Sequence, residues 1–232
     1  MSAFRPFNDL LNVLFSPSCV SCGKTLVGDE RFLCVNCLSQ IPYTGFEYTP
    51  DNQLEALLVN TIPNVKAAAL MHYVKNECPQ HVVHEIKYHN NLGLGKLFGR
   101  LLGSALSNSH RFDDVDVIVP VPLHLFRWLQ RGYNQSRIIS SGVAETFPRP
   151  ICNNLIVRSR YTTTQTRKSH QERVKNVDKA FSIKRGSSLE GKHILLLDDV
   201  ITTGSTVRSC YEALSKIKGV TVSVAALAYA GT

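Results

Sequence analysis

The stretch "HILLLDDVITTGSTV", His193 to Val207, decides the fold. With Lys192 before it, it opens on "KHILLLDD", a continuous apolar run that ends in two carboxylates, Asp198 and Asp199. Such a run fits a parallel strand buried on both faces. A short hydroxyl-rich loop follows, and "STVRSCYEALSKIKG" then places Val207, Cys210, Leu214 and Ile217 on one helical face and stops at Gly219. The order is strand, acidic pair, loop, helix. It predicts both acids at the carboxyl end of a parallel strand, where ligands bind in open α/β sheets. The first turn of a helix points free N–H groups and partial positive charge at one spot. Thr202, Thr203, Gly204, Ser205 and Thr206 therefore suit a phosphomonoester, with Gly204 leaving room for the phosphate and the hydroxyls of Thr203, Ser205 and Thr206 donating to it. Asp198 and Asp199 suit the vicinal hydroxyls of a ribose, which donate hydrogen bonds to carboxylates. No Gly-Lys-Thr occurs within this stretch, so it is not a Walker A loop. The plainer reading is a capped helix after a buried strand, with incidental acids.

Outward from this stretch, "VKAAALMHYV" reads as a strand and "LGLGKLFGRLLGSALS" as an amphipathic helix with Leu94, Leu97, Phe98, Leu101, Leu102 and Ala105 on one face. "DVDVIVPVPLH" alternates and runs into a proline loop, "QSRIISSGVAETF" is helical, "NLIVRSR" is a short strand and "VTVSVAALAYA" is the last strand. Strands alternating with helices predict an α/β fold with a parallel sheet flanked by helices. "LSQIPYTGFEYTPDNQ" is a connecting loop. "YTTTQTRKSHQERVKNVDKA" is polar, basic and aperiodic, and a loop that long is usually functional or mobile. "MSAFRPFNDLLNVLF" has helical apolar spacing at Phe7, Leu10, Leu11 and Leu14, and fits a short helix packing on the body.

Four of the seven cysteines form two knuckles, Cys19 with Cys22 and Cys34 with Cys37, with eleven residues between them. Two such knuckles complete a tetrahedral sulfur site that suits structural zinc, with iron as the alternative. A closed set of four leaves no position for substrate. A disulfide pair or a redox dithiol fits less well. Loss of one thiolate would be expected to unfold residues near 15 to 45 and spare the body. Cys78, Cys152 and Cys210 read as small buried hydrophobes.

The chain has 232 residues and a net charge of +8, unevenly spread. From Leu123 to Arg185 there are 13 Lys/Arg against 3 Asp/Glu, an excess of +10, which leaves 13 against 15 elsewhere. Such a surface meets phosphate, on a small ligand or on nucleic acid. Within it Arg127 and Arg131 lie four apart, a spacing and chemistry suited to gripping phosphate oxygens bidentately, and Asn134 and Gln135 offer amide donors. Two solvated arginines near a proline turn are the alternative. Trp128 and Tyr133 could stack on a base or pack in the core. No segment is apolar and long enough to span a membrane and no cleavable leader is evident, so the expected location is cytoplasmic.

"ILLLDDVITTGST" resembles the ribose 5-phosphate loop of type I phosphoribosyltransferases, which bind 5-phosphoribosyl-1-pyrophosphate (PRPP) with magnesium. Nearly the whole chain is similar to one branch, the ComF family of competence proteins (GntX/YhgH-like). The four-cysteine module carries that likeness, with "PVPLHLFRWLQRGYNQS", "HEIKYHNN" around Lys87, and the run of Gln165, Glu172, Arg173, Asn176, Val177, Ala180 and Phe181. The resemblance implies an N-terminal helix and zinc-ribbon module over residues 1–45 and a phosphoribosyltransferase-like domain over 46–232. It implies PRPP and Mg2+ at Asp198, Asp199 and Thr202–Thr206, with pyrophosphate or nucleic acid near Arg127, Arg131, Asn134 and Gln135. It also implies a role in natural transformation on incoming single-stranded DNA, with a competence helicase as partner. Thr202 stands where purine-salvage members carry an aspartate, and it cannot act as a general base near neutral pH. Catalytic residues are therefore unassigned. Any hood over a base must come from the N-terminal zinc module. Two functions follow: a DNA-uptake accessory that retains the PRPP fold, or an active phosphoribosyltransferase with an unknown acceptor.

Overall fold

In the computed structural model, residues 17–123, 132–158, 181–184 and 189–231 are described. Their strands are β1 (Ala67–His72), β2 (Val117–Pro120), β3 (Ile156–Arg158), β4 (Phe181–Ile183), β5 (His193–Ile201) and β6 (Thr221–Tyr229). Four form an all-parallel sheet in the order β1–β6–β5–β2, and β3 and β4 pair antiparallel in a second, two-stranded sheet. The helices are α1 (Val35–Ser39), α2 (Gln53–Leu58), α3 (Cys78–Tyr88), α4 (Leu92–Ser109), α5 (Gln135–Thr146) and α6 (Ser205–Leu214).

The strands read as unbroken apolar runs because both faces of the sheet are covered. Ala68, Leu70, Ile118, Leu195, Leu197, Ala225 and Leu227 face a layer built from α3, α4 and α5. Ala67, Ala69, Val119, Ile194, Leu196, Val224 and Ala226 face α2, α6 and the β3–β4 pair. Successive side chains of a strand point to opposite faces, so one run such as Ile194–Leu197 feeds both cores.

The buried face of α4 departs from the expected one. Leu94, Phe98, Leu102 and Leu106 are buried together with Gly95, Gly99 and Gly103, while Leu97, Leu101 and Ala105 lie at the margin. The reason is α5. A Cβ on Gly99 would stand 2.3 Å from the Ile139 carbonyl oxygen, and one on Gly142 would stand 2.2 Å from that of Lys96. The two helices touch backbone to backbone, which only glycine permits.

Besides the short α1 of the cysteine module, two helices escaped the sequence reading, α2 and α3. The first is capped by Asn52, whose side chain accepts from the N–H groups of Leu54 and Glu55. The second carries Pro79 in its first turn and buries Val82, Val83 and Ile86, a start signal and a spacing that could have been read. Helix α6 ends at Leu214, short of Gly219. Cys78 and Cys210 are buried and Cys152 is half-buried.

The cysteine module joins the body without a break in the core. Cys19, Leu26, Leu33, Cys34, Cys37 and Ile41 lie in the same apolar cluster as Val82, Ile86 and Phe98. Among the described residues no helix is long and apolar enough to cross a membrane. The expected N-terminal helix, Arg127, Trp128, Arg131 and the basic loop over 161–180 lie outside the described residues.

Candidate functional site

The site exists because β5 outruns its neighbour. Strand β2 pairs with β5 only as far as Pro120 opposite Leu197, and the Val121 N–H closes that edge on the Leu197 carbonyl at 2.8 Å. Beyond Leu197, β5 continues along β6 alone, and Asp198 and Asp199 open onto the crevice. Asp198 Oδ1 accepts from the Asp199 N–H at 2.8 Å and from the Ser136 hydroxyl, in the first turn of α5, at 3.3 Å. The Lys87 ammonium, from the last turn of α3, lies 3.2 Å from Asp199 Oδ1. Burial, then the neighbouring Asp199, pushes Asp198 up to about 7 against the opposing pull of the Asp199 N–H, Lys87 and Ser136. One of these two acids therefore holds a proton readily near neutral pH.

These groups share a cavity of about 460 Å³ with Thr202 and Thr206 of the loop. Thr202, Thr203 and Ser205 are exposed and Thr206 is half-buried, so the hydroxyls stand open to a ligand. Gly204 has a reason of its own within the fold, beside the room for a phosphate expected from the sequence. Its φ is +71°, and a Cβ there would meet Leu58 Cδ2 at 2.9 Å. The residue is glycine because the turn is left-handed and α2 packs against it. Arg208 reinforces that contact by donating to the Leu57 carbonyl at 2.6 Å.

Asn134 and Gln135 sit at the start of α5. The Asn134 carboxamide caps the helix by accepting from the Ser136 N–H at 3.0 Å and donates to the Val121 carbonyl at 3.0 Å. Gln135 is 1% exposed. Tyr133 donates its hydroxyl to the Ile86 carbonyl of α3. The far wall of the cavity is α3, with Val83, His84, Lys87 and Tyr88, and Tyr73 beside it. The His84 and Tyr88 rings lie 4.7 Å apart, centre to centre. The cysteine module does not wall this cavity among the described residues. It packs on the outer side of α3, where Ser21 Oγ lies 3.3 Å from His81 Nδ1. The expectation that this module forms the hood is corrected on that ground: its apolar residues are occupied by α3 and α4.

The four thiols of Cys19, Cys22, Cys34 and Cys37 lie within 4.8 Å of one another, with Cys22 and Cys34 sulfurs 3.7 Å apart. Sulfurs bound tetrahedrally at the usual zinc distance stand about 3.8 Å apart, so the set fits a metal ion such as zinc. Burial opposes ionisation of Cys19, but the N–H groups of Cys22, Cys34 and Ser21 outweigh it and lower the thiol to about 6. Burial, then the Cys22 and Cys34 sulfurs, pushes Cys37 up to about 12. Such a crowd of sulfurs becomes fully anionic only beside a cation.

Comparison with known proteins accords with this geometry. Residues 134–232 match the phosphoribosyl transferase domain. Competence protein F of Haemophilus influenzae is 29% identical over 215 residues, which cover 88% of this chain and 93% of that protein. DNA utilization protein YhgH of Escherichia coli O157:H7 is 30% identical over 146 residues, which span 62% of this chain and 63% of that one. Among solved structures, the glutamine PRPP amidotransferase of B. subtilis, complexed with ADP and GMP, is 24% identical with a TM-score of 0.40, covering 61% of this chain and 30% of that one. The chain is a homologue of competence protein F and of DNA utilization protein YhgH, and its residues 134–232 match the phosphoribosyl transferase domain.

Proposed function

We propose that this homologue of competence protein F is a DNA-uptake accessory that acts on incoming single-stranded DNA in natural transformation and holds PRPP with Mg2+ in its phosphoribosyltransferase fold. The observation that carries the ligand is the meeting of the acidic pair, Ser136, Thr202 and Thr206 in one cavity of about 460 Å³. The 5-phosphate sits on the N–H groups and hydroxyls of Thr202–Thr206, and the ribose hydroxyls donate to Asp198 and Asp199. Arg127 and Arg131 meet the pyrophosphate or a nucleic-acid backbone, while Asn134, which caps α5, and Gln135, which is 1% exposed, set the start of that helix and do not offer the amide donors expected of them. Bound Mg2+ supplies charge neutralisation for the phosphates. Zinc on the four cysteines is structural and holds the module against α3. The protein works in the cytoplasm, with a competence helicase as partner.

The DNA half of the proposal is supported by what the relatives are called, competence protein F and DNA utilization protein, and by the +10 excess between Leu123 and Arg185. A strand neutralised by several of these cations releases counterions, so affinity should fall with salt at a log–log slope of roughly −0.7 per contact. A second reading, phosphoribosyl transfer to an acceptor, is favoured by one observation: Asp198, near 7, is poised to exchange a proton at neutral pH.

Calorimetric titration with PRPP and Mg2+ tests the ligand. Heat that saturates at one site is expected, and none at millimolar PRPP would reject it. Salt-dependent binding of a single-stranded oligonucleotide tests the DNA half. Replacing Arg167 and Lys168 with Glu should weaken DNA and leave PRPP binding nearly unchanged. Equal DNA affinity for that variant and the parent at low salt would exclude a track through this loop. Pyrophosphate release on adding nucleobases would establish the transferase.

A further inference from the structure

We infer that the four-cysteine module and the ligand cavity are thermodynamically linked through α3: zinc on Cys19, Cys22, Cys34 and Cys37 tightens PRPP binding, and PRPP in the cavity tightens the zinc. This rests on the PRPP reading above and adds a means of controlling that site.

Three observations lead to it. First, α3 has two occupied faces. Gln80, Val83, His84, Lys87 and Tyr88 line the cavity, and steps of three and four residues put them on one side of a helix. On the other side Cys78 and Val82 share an apolar cluster with the module, and His81 Nδ1 lies 3.3 Å from Ser21 Oγ, inside the first cysteine knuckle. Second, the chain that leaves the module runs along the edge of β1. The His72 N–H donates to the Pro42 carbonyl at 2.9 Å and the Thr44 N–H to the Leu70 carbonyl at 3.2 Å, and Tyr73, the next residue, lines the cavity. Third, Phe32, two residues before Cys34, is held at φ +63°, a backbone that bulky residues rarely adopt. Its ring lies over Gly93 just past the α3–α4 turn, where a Cβ would stand 2.6 Å from Phe32 Cζ. The Phe32 carbonyl meanwhile accepts from the Val20 N–H of the first knuckle at 2.8 Å.

A helix of eleven residues does not hold itself in water, so α3 keeps its place by packing. The module supplies the packing on the face away from the ligand. Metal binding is the folding free energy of such a module, and a strained residue such as Phe32 persists only while its surroundings over-determine it. Loss of the metal therefore frees Phe32 and removes the surface behind α3. A ligand must then order the cavity wall itself, and binds more weakly. Linkage makes the effect reciprocal: PRPP raises zinc affinity by the factor by which zinc raises PRPP affinity.

The test is calorimetry on the full chain with PRPP and Mg2+, before and after zinc is removed by a chelator that leaves Mg2+ in solution. The same chelator is titrated against the loaded protein with and without saturating PRPP. Zinc removal should weaken PRPP on the order of ten- to a hundredfold, and PRPP should raise zinc affinity by the same factor. The double variant Phe32→Ala, His81→Ala keeps all four thiols and touches no cavity residue. Loaded with one zinc, it should bind PRPP several-fold more weakly than the loaded parent, and PRPP should tighten its zinc less. Ser21→Ala is the milder break should the double variant lose its zinc. If the metal-free chain shows no cooperative melting transition, the two loaded proteins decide alone. PRPP affinity equal with and without zinc, or equal in the loaded parent and the loaded variants, overturns the inference and leaves the PRPP reading intact. A loaded parent that binds no PRPP overturns both.

Discussion

The Ser136 hydroxyl stands 3.3 Å from Asp198 Oδ1, so the first turn of α5 delivers a donor to the inner acid at the end of β5. With Lys87 on Asp199 from α3, the two carboxylates are addressed by two different helices. One takes a neutral donor and stays easy to protonate. The other takes a cation.

That asymmetry gives binding a pH profile. Ribose hydroxyls donate best to ionised carboxylates, and Asp198 is pushed up to about 7 by burial and by Asp199. PRPP affinity is expected to rise between roughly pH 6 and 8 and level off above. Ser136→Ala removes a hydrogen bond that favours the ionised form, so the midpoint should move to higher pH. Affinity measured by calorimetry in matched buffers checks this, and a flat profile in both proteins would count against it.

The metal is expected to stabilise more than its own module. Leu26, Leu33 and Ile41 share a core with Val82, Ile86 and Phe98, so α3 and α4 lose a covering layer when the module opens. Cys34→Ser or chelation should lower the main unfolding transition by several kcal/mol, and elemental analysis of the parent should find one zinc. Unfolding limited to residues 15–45, with the body's transition unmoved, would show that the two cores are energetically separate.

His193 ties the amino-terminal edge of the sheet together. Its Nε2 lies 2.8 Å from Ser223 Oγ and its Nδ1 lies 3.2 Å from Asp114 Oδ2. Burial lowers its pKa below the usual 6.5, against the pull of Asp114 and with help from Lys66. The unfolded chain therefore binds the proton more readily than the folded one. The stabilising contribution is fully present above the ordinary histidine value and is lost as pH falls through the folded value. His193→Gln should flatten the loss of stability on acidification below about pH 6.5, read from denaturant midpoints. An identical slope in parent and variant would refute this.

Gly142→Ala is expected to cost about 2–3 kcal/mol or more, because the new methyl would meet the Lys96 carbonyl oxygen at 2.2 Å and the α4–α5 contact must open. Gly45→Ala is a control for backbone strain, since its φ is +69° but nothing lies near its Cβ. A thermal midpoint for Gly142→Ala equal to that of the parent would show that the helices separate freely.

Strand β5, the acidic pair, the hydroxyl loop and the four-thiol set were all legible in the sequence, because each depends on spacing within one short segment. Apolar continuity from Ile194 to Leu197 specifies a strand covered on both sides, and two residues between cysteines aim both sulfurs at one point. The wall of the cavity was not legible. Nothing near Lys87 in the chain says that its ammonium meets Asp199, nothing near Ser136 points to Asp198, and Gly204 owes its identity to Leu58 of α2. These pairings arise where α3, α5 and α2 land on the sheet, and that depends on side-chain and glycine contacts between elements far apart in sequence. Local pattern determines which elements form and which chemistry they carry. The close approach of α4 to α5 and the early end of β2 decide which of those groups share a cavity, because packing is set by the shapes of surfaces that meet only when the chain has folded.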